Sequence, residues 1–247
     1  MSTTRPSVYS PPLSSRQGDA TLAHHEVLEV DAGGAQDGPR ADRTVAIFGA
    51  GRVGTALARV LLGAGYEVRV VGSGPATGIE LIVSVLAPGA IAMDAADAVA
   101  EADVVILAIP LHKLDSIDPQ LLRGRVVVDV MNYWEPVDGR LADFAGSDAT
   151  TPIVAARLAG ATVVKAFNHI GYHDIESDHR APGEEHRRAL AVSGDDRRAV
   201  DLVLEMVQRT GFDAVDAGGL HSSGVLQAGG PVFGVRLNQT DLRRHVA

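Results

Sequence analysis

The clearest chemical signal in the chain is the run Gly49-Ala50-Gly51-Arg52-Val53-Gly54. A G-x-G-x-x-G spacing is weak alone, but here it directly follows a β-rich run and opens a helical pattern, the context that gives it meaning. Each glycine has a physical task. Gly49 permits a tight turn, Gly51 lets the backbone approach a pyrophosphate, and Gly54 lets the next helix pack close to the sheet. The helix start offers free N–H groups and a positive dipole end to phosphates. The predicted chemistry is dinucleotide binding.

The next strand decides which dinucleotide. Where the 2′-hydroxyl of a ribose is held, an Asp or Glu stands about 20 residues on. Here the strand ends Val70-Val71-Gly72-Ser73-Gly74, with no acid. Ser73 can instead donate to a 2′-phosphate, which favours NADP over NAD, although no Arg follows as a phosphate clamp. Thr77 is the other nearby donor side chain. The fourth strand, Val104 to Ile109, ends in Pro110, and strand ends form the ligand crevice of such folds. Ile109 and Pro110 suit an apolar shelf for a ribose or nicotinamide. His112 and Lys113 follow, each able to reach a phosphate or ribose or to stand in solvent.

These residues need elements to position them. Thr44–Phe48, Glu67–Val71, Ile91–Met93, Val104–Ile109, Val126–Val130, Ala161–Ala166, Leu190–Ser193 and Asp213–Asp216 read as strands. Thr55–Leu62, Ile79–Leu86, Ala95–Glu101, Leu111–Leu122, Thr151–Leu158 and Asp195–Arg209 read as helices. Continuous apolar strands alternating with helices predict a buried parallel sheet, and right-handed crossovers give a doubly wound α/β fold of Rossmann type. No linker interrupts Thr44 to Gly218, so one extended domain is expected. Residues 1–43 are rich in Ser, Pro, Gly and Asp and read as a disordered leader. Within it Ala23 to Val30 could add an edge strand, and the adjacent His24 and His25 read as solvated.

Composition narrows the function. The 247 residues carry 22 Lys and Arg against 31 Asp and Glu, a net charge of −9, with no cysteine and 4% aromatics. Disulfide scaffolds, Cys-ligated metals and thiol nucleophiles are excluded, and the acidic balance argues against a nucleic-acid partner. No apolar run approaches the roughly 20 residues of a membrane span. The start lacks the basic and apolar regions of a signal peptide. A soluble cytoplasmic protein is expected. No histidine spacing points to a metal: His169 and His173 are four apart, but no clear helix follows them. His221, Ser222 and Ser223 lack the Gly-x-Ser-x-Gly elbow of a hydrolase. Tyr133 and Trp134 belong to a core edge or a cleft wall.

Further motifs add a family. They are Ile109-Pro110, Val163-Val164-Lys165-Ala166-Phe167-Asn168, Val192-Ser193-Gly194-Asp195-Asp196 ahead of a helix, and Gly211 to Leu220 with its Asp-Ala-Gly-Gly-Leu end. From Thr44 to about Leu226 the chain resembles the NADP-dependent oxidoreductases that use the deazaflavin coenzyme F420. The resemblance implies a Rossmann core with a small C-terminal lobe, occupying residues 44–247. It implies that Gly49, Ala50, Gly51, Arg52, Val53 and Gly54 hold the pyrophosphate and that Ser73 meets the 2′-phosphate. Ile109, Pro110 and Ala166 would border the nicotinamide. Asn168, His169 and Leu220 would lie near the second ring, His169 assisting its protonation. The implied partners are small-molecule redox cofactors, and the implied assembly is a homodimer. The chain departs from the family at Gly74, where Arg is common, and in Asn168 to Tyr172. It departs again at Asn238 to Arg244, where many relatives continue as an apolar helix. Hydride transfer to F420 is the expected activity. Reduction of another flavin, or of metal through flavin, and a non-catalytic dinucleotide sensor are the alternatives.

Overall fold

The computed structural model describes residues 43–246. The expected leader, with its Ala23 to Val30 segment, lies outside the described residues except for Arg43, whose guanidinium meets Glu205 at 2.9 Å.

Strand β1 (Thr44–Phe48) passes through the glycine turn into α1 (Arg52–Gly63). Then come β2 (Glu67–Val71), α2 (Glu80–Leu86), β3 (Ile91–Ala92), α3 (Ala95–Ala100) and β4 (Val104–Leu107). Two 3-10 segments, Leu111–Ser116 and Pro119–Leu122, lead to β5 (Val126–Asp129) and α4 (Glu135–Asp138). The chain continues through α5 (Thr151–Arg157), β6 (Thr162–Lys165), α6 (Tyr172–Ser177), β7 (Ala189–Gly194), α7 (Arg197–Arg209) and β8 (Asp213–Asp216). A 3-10 segment, Leu220–Leu226, and α8 (Gln239–Val246) follow.

The strands form one sheet in the order β3-β2-β1-β4-β5-β6-β7-β8. Neighbours are parallel except β6 and β7, which run antiparallel through Val164–Gly194 and Lys165–Ser193. This is the expected doubly wound, mostly parallel sheet. Alternate side chains enter opposite cores, as the pleat requires. Val45 and Ile47 of β1 join Leu57 and Leu61 of α1, while Ala46 and Phe48 join Val99, Leu114 and Val154 on the other face. Both faces are covered, so the strands read as apolar runs rather than alternations.

The single helix expected over Leu111 to Leu122 is absent. Pro119 cannot donate to a preceding turn and disfavours helical backbone at Asp118. Asp118 caps the second segment instead, its carboxylate accepting from Gln120 N–H at 2.9 Å. The clear helix thought missing after His169 is present as α6. Its single buried residue, Ile175, gives no helical period to read. The polar end of the chain forms α8, whose buried Leu242 joins the small core of Ala189, Ala191 and Val215. No helix among the described residues is long and apolar enough to cross a membrane.

Candidate functional site

The topology reverses between β1 and β4, and the ends of these parallel strands open a crevice there. The glycine turn sits at its centre. Gly49 has φ 119°, a conformation L side chains rarely adopt, and donates its N–H to Val71 O at 2.9 Å. A Cβ at Gly49 would strike the Ala108 carbonyl, and one at Gly54 the Gly49 carbonyl. Gly51 is the opposite case, since a Cβ there meets open space. It is the N-cap of α1, with no side-chain cap and no acidic residue in the first turn. The helix start therefore keeps its N–H groups and positive end for an anion. Thr55 Oγ1 donates to Gly51 O at 2.9 Å and braces the turn. Arg52 lies over the Tyr172 ring at 5.6 Å and donates to its hydroxyl at 3.2 Å.

A cleft of about 820 Å³ runs beside this turn. Gly49, Ala50, Ser73, Ile109, Pro110 and Lys113 all line it. Gly51, Arg52, Val53 and Gly54 do not, since they form the helix start itself. The exit of β2 contributes Gly72, Ser73 and Gly74, and a Cβ on Gly74 would meet nothing within 4 Å. Asp94 approaches this exit from beyond β3 but spends Oδ1 on Ala76 N–H at 2.7 Å. Ile117, Asp118 and Leu121 complete the wall. Sequence reasoning missed them because their position depends on the 3-10 segments.

The ends of β5 and β6 are built differently. Asp129 and Lys165 are both fully buried and pair at 3.1 Å. Asp129 also accepts from Thr151 Oγ1 and Met131 N–H, each at 2.9 Å, and Lys165 Nζ donates to Met131 O. Burial lowers the Lys165 pKa, and the Asp129 charge opposes this. All partners of the pair are internal, so Lys165 offers no charge to the cleft.

After β6, Phe167 takes φ 58°, an uncommon conformation for a bulky residue. Asn168 and His169 follow, both buried, as is Ala166. Asn168 Nδ2 donates to Asn132 Oδ1 at 3.0 Å and to Leu226 O at 2.6 Å, tying the exits of β5 and β6 to the last 3-10 segment. His169 Nε2 accepts from Ala191 N–H at 3.1 Å. Burial chiefly, with the Arg188 and Lys165 charges, pushes its pKa down to about 3. It is a neutral acceptor inside the core, not a group at the cleft. The His173 ring lies 4.0 Å from that of Tyr172.

One constellation spans the exits of β4 and β5. Asp138 of α4 is buried and its Oδ1 accepts from the His112 backbone N–H at 3.0 Å. The same oxygen lies 3.0 Å from His112 Nδ1, while Oδ2 accepts from Trp134 N–H at 2.9 Å. No local pattern announces this contact, which joins residues 26 apart.

Comparison with known proteins agrees with the geometry. The family model for coenzyme F420-dependent NADP oxidoreductases matches residues 44–133. No curated protein matches the chain. Among solved structures, the hypothetical protein SMa0349 from Sinorhizobium meliloti is 32% identical with a TM-score of 0.70. The match covers 80% of this chain and 96% of that one. A candidate F420-dependent NADP-reductase from Arthrobacter sp. FB24 is 23% identical with a TM-score of 0.62, over 74% and 90% of the two chains. The 3-hydroxyisobutyrate dehydrogenase of Mycobacterium tuberculosis shares the fold at 20% identity and a TM-score of 0.54, over 74% of this chain and 57% of its own. Glycine turn, cleft and these similarities together make the chain a member of the coenzyme F420-dependent NADP oxidoreductase family.

Proposed function

We propose that this chain transfers hydride between NADP(H) and the deazaflavin coenzyme F420. One observation carries the reading: a single cleft joins the glycine turn, the exit of β2 and the exit of β4. Its volume of about 820 Å³ is that of a site for a large ligand. The uncapped start of α1, with open space at Gly51, fits a pyrophosphate. Ser73 and Lys113 bring a hydroxyl and an ammonium to a cleft whose β2 strand ends without an acid, which suits a phosphorylated ribose. NADPH supplies the hydride, and the chain's share is orientation and exclusion of water.

Ile109 and Pro110 give the reacting end an apolar border. Ala166, Asn168 and His169 are buried and do not line the cleft. Asn168 fixes the surrounding loops, and His169 holds β7 rather than moving a proton. The same reading makes the chain a cytoplasmic homodimer, and sedimentation of the full chain measures the second point.

Titration with NADPH and candidate acceptors tests the reaction. Loss of the deazaflavin absorbance band on adding NADPH, with FMN and FAD unchanged, is the expected result. Flavin reduction without F420 reduction, or tight NADPH binding with no turnover, would overturn it. A preference for NADH over NADPH would remove the role given to Ser73.

A further inference from the structure

Nine large apolar side chains stand exposed among the described residues, and five of them fall between Leu81 and Ile91. Leu81, Ile82, Val85 and Leu86 recur at the one- and four-residue spacing that gathers side chains on one helix face. Leu81 is 77% exposed and Val85 65%. The core takes only Val83 of α2, with Ala87 just beyond it. Helix α2 therefore turns a second apolar stripe outward. Ile91 adds to it from β3, the strand against which α2 packs. β3 is also the outermost strand, so no further strand among the described residues pairs with its other edge. The exposed fractions amount to on the order of 500 Å² of apolar surface, the scale of patch that marks an interaction site.

We infer that this face of α2 and β3 is where two copies of the chain meet. The inference rests on the homodimer proposed above and assigns its interface, and nothing in it depends on the hydride acceptor. Charge selects the occupant. From Pro75 to Met93 the chain carries one charged residue, Glu80. Arg59 reaches the end of α2 and donates to the Leu86 carbonyl, but Glu176 holds the same guanidinium at 2.5 Å. A lipid surface would call for basic residues beside the apolar face. A partner of different sequence would be selected by a charge pattern, which this face lacks. A second copy needs neither. In a two-fold interface the same patch meets itself, apolar on apolar. An antiparallel crossing of the two α2 helices sets the Glu80 side chains at opposite ends, so the like charges stay apart. About 800 Å² per partner makes a stable interface, with a core depleted of charge and a polar rim. The apolar face supplies more than half of that area, and the exposed Glu80 and Ser84 begin the rim. None of the five apolar residues lines the dinucleotide cleft, so association and cofactor binding can be read separately.

Sedimentation of the full chain should give a dimer. The double substitution Leu81→Glu with Val85→Glu should raise the dimer dissociation constant on the order of 100-fold, because the interface would then bury like charges without partners. Both side chains are exposed within one copy, so the urea midpoint should hold, and NADPH affinity should stay within about twofold. The chain has no cysteine, which gives a second readout. The thiol of Val85→Cys should let a short bis-maleimide join two copies, whereas that of Arg198→Cys, at an exposed position of α7, should not. A dimer that survives the double substitution, or equal cross-linking through both thiols, would overturn the inference while the proposed homodimer stood. A monomeric wild type would overturn both, and binding of that monomer to vesicles of neutral phospholipid would give the face to a membrane instead.

Discussion

Two turns in this molecule carry a strand into a long helix, and they treat the helix start in opposite ways. At the first, Gly51 caps α1 without a side chain, and no acid stands in the first turn. At the second, β7 passes through Gly194, Asp195 and Asp196 into α7. Asp196 accepts from Ala199 N–H at 2.9 Å, and Asp195 accepts from Leu220 N–H at 2.9 Å. One start has no side-chain cap, and the other is capped by a carboxylate from its own sequence. Position explains the difference. β7 runs antiparallel to β6, so its end points away from the crevice. The side of the sheet that closes on itself uses side chains as internal partners.

The largest expected effect tests how tightly the β7 side is closed. The His169 pKa in the fold is about 3, below its ordinary value of 6.5, so between these values the unfolded chain binds the extra proton. Stability should therefore be flat above about pH 6.5 and fall towards pH 3 by roughly 1.4 kcal/mol per unit. Urea unfolding across this range should show the slope, and His169→Gln, which keeps a carbonyl acceptor for Ala191 N–H, should reduce it. Next is Gly54→Ala, which should cost about 3 kcal/mol, because a methyl would press into the Gly49 carbonyl and force the turn to move. Denaturant midpoints measure it. Gly51→Val should leave stability within about 1 kcal/mol, the loss being a poorer cap. Its NADPH affinity should fall on the order of 100-fold, about 2.7 kcal/mol. Equal binding by this variant would break the contrast between the turns. The smallest effect is Asp196→Ala, which should lower stability by about 1 kcal/mol and leave NADPH binding unchanged.

Much of this was legible in the residues. The glycine turn and its strands could be read because each needs a particular residue type: glycine where a methyl collides, and apolar residues on both faces of a covered sheet. The bounds of β2 and β8 match the expected ones residue for residue. Other features left little trace. The break before Pro119 depended on weighing one residue against a helical period. The helices α6 and α8 bury one residue each, Ile175 and Leu242, so neither shows an amphipathic stripe. The direction of β7 leaves no mark on its composition. Cleft residues adjacent in sequence, such as Ile109 and Pro110, could be anticipated. The pairs Asp129–Lys165 and His112–Asp138 could not, because each is made by strands and loops meeting in space.

Gly74 bears on how cofactor preference can be altered. Its built Cβ meets nothing within 4 Å, and it stands beside Ser73 on the cleft wall. Packing therefore does not require glycine there. A larger side chain there would enter the cleft without displacing the core, so under the proposed function cofactor choice at this position is separable from folding.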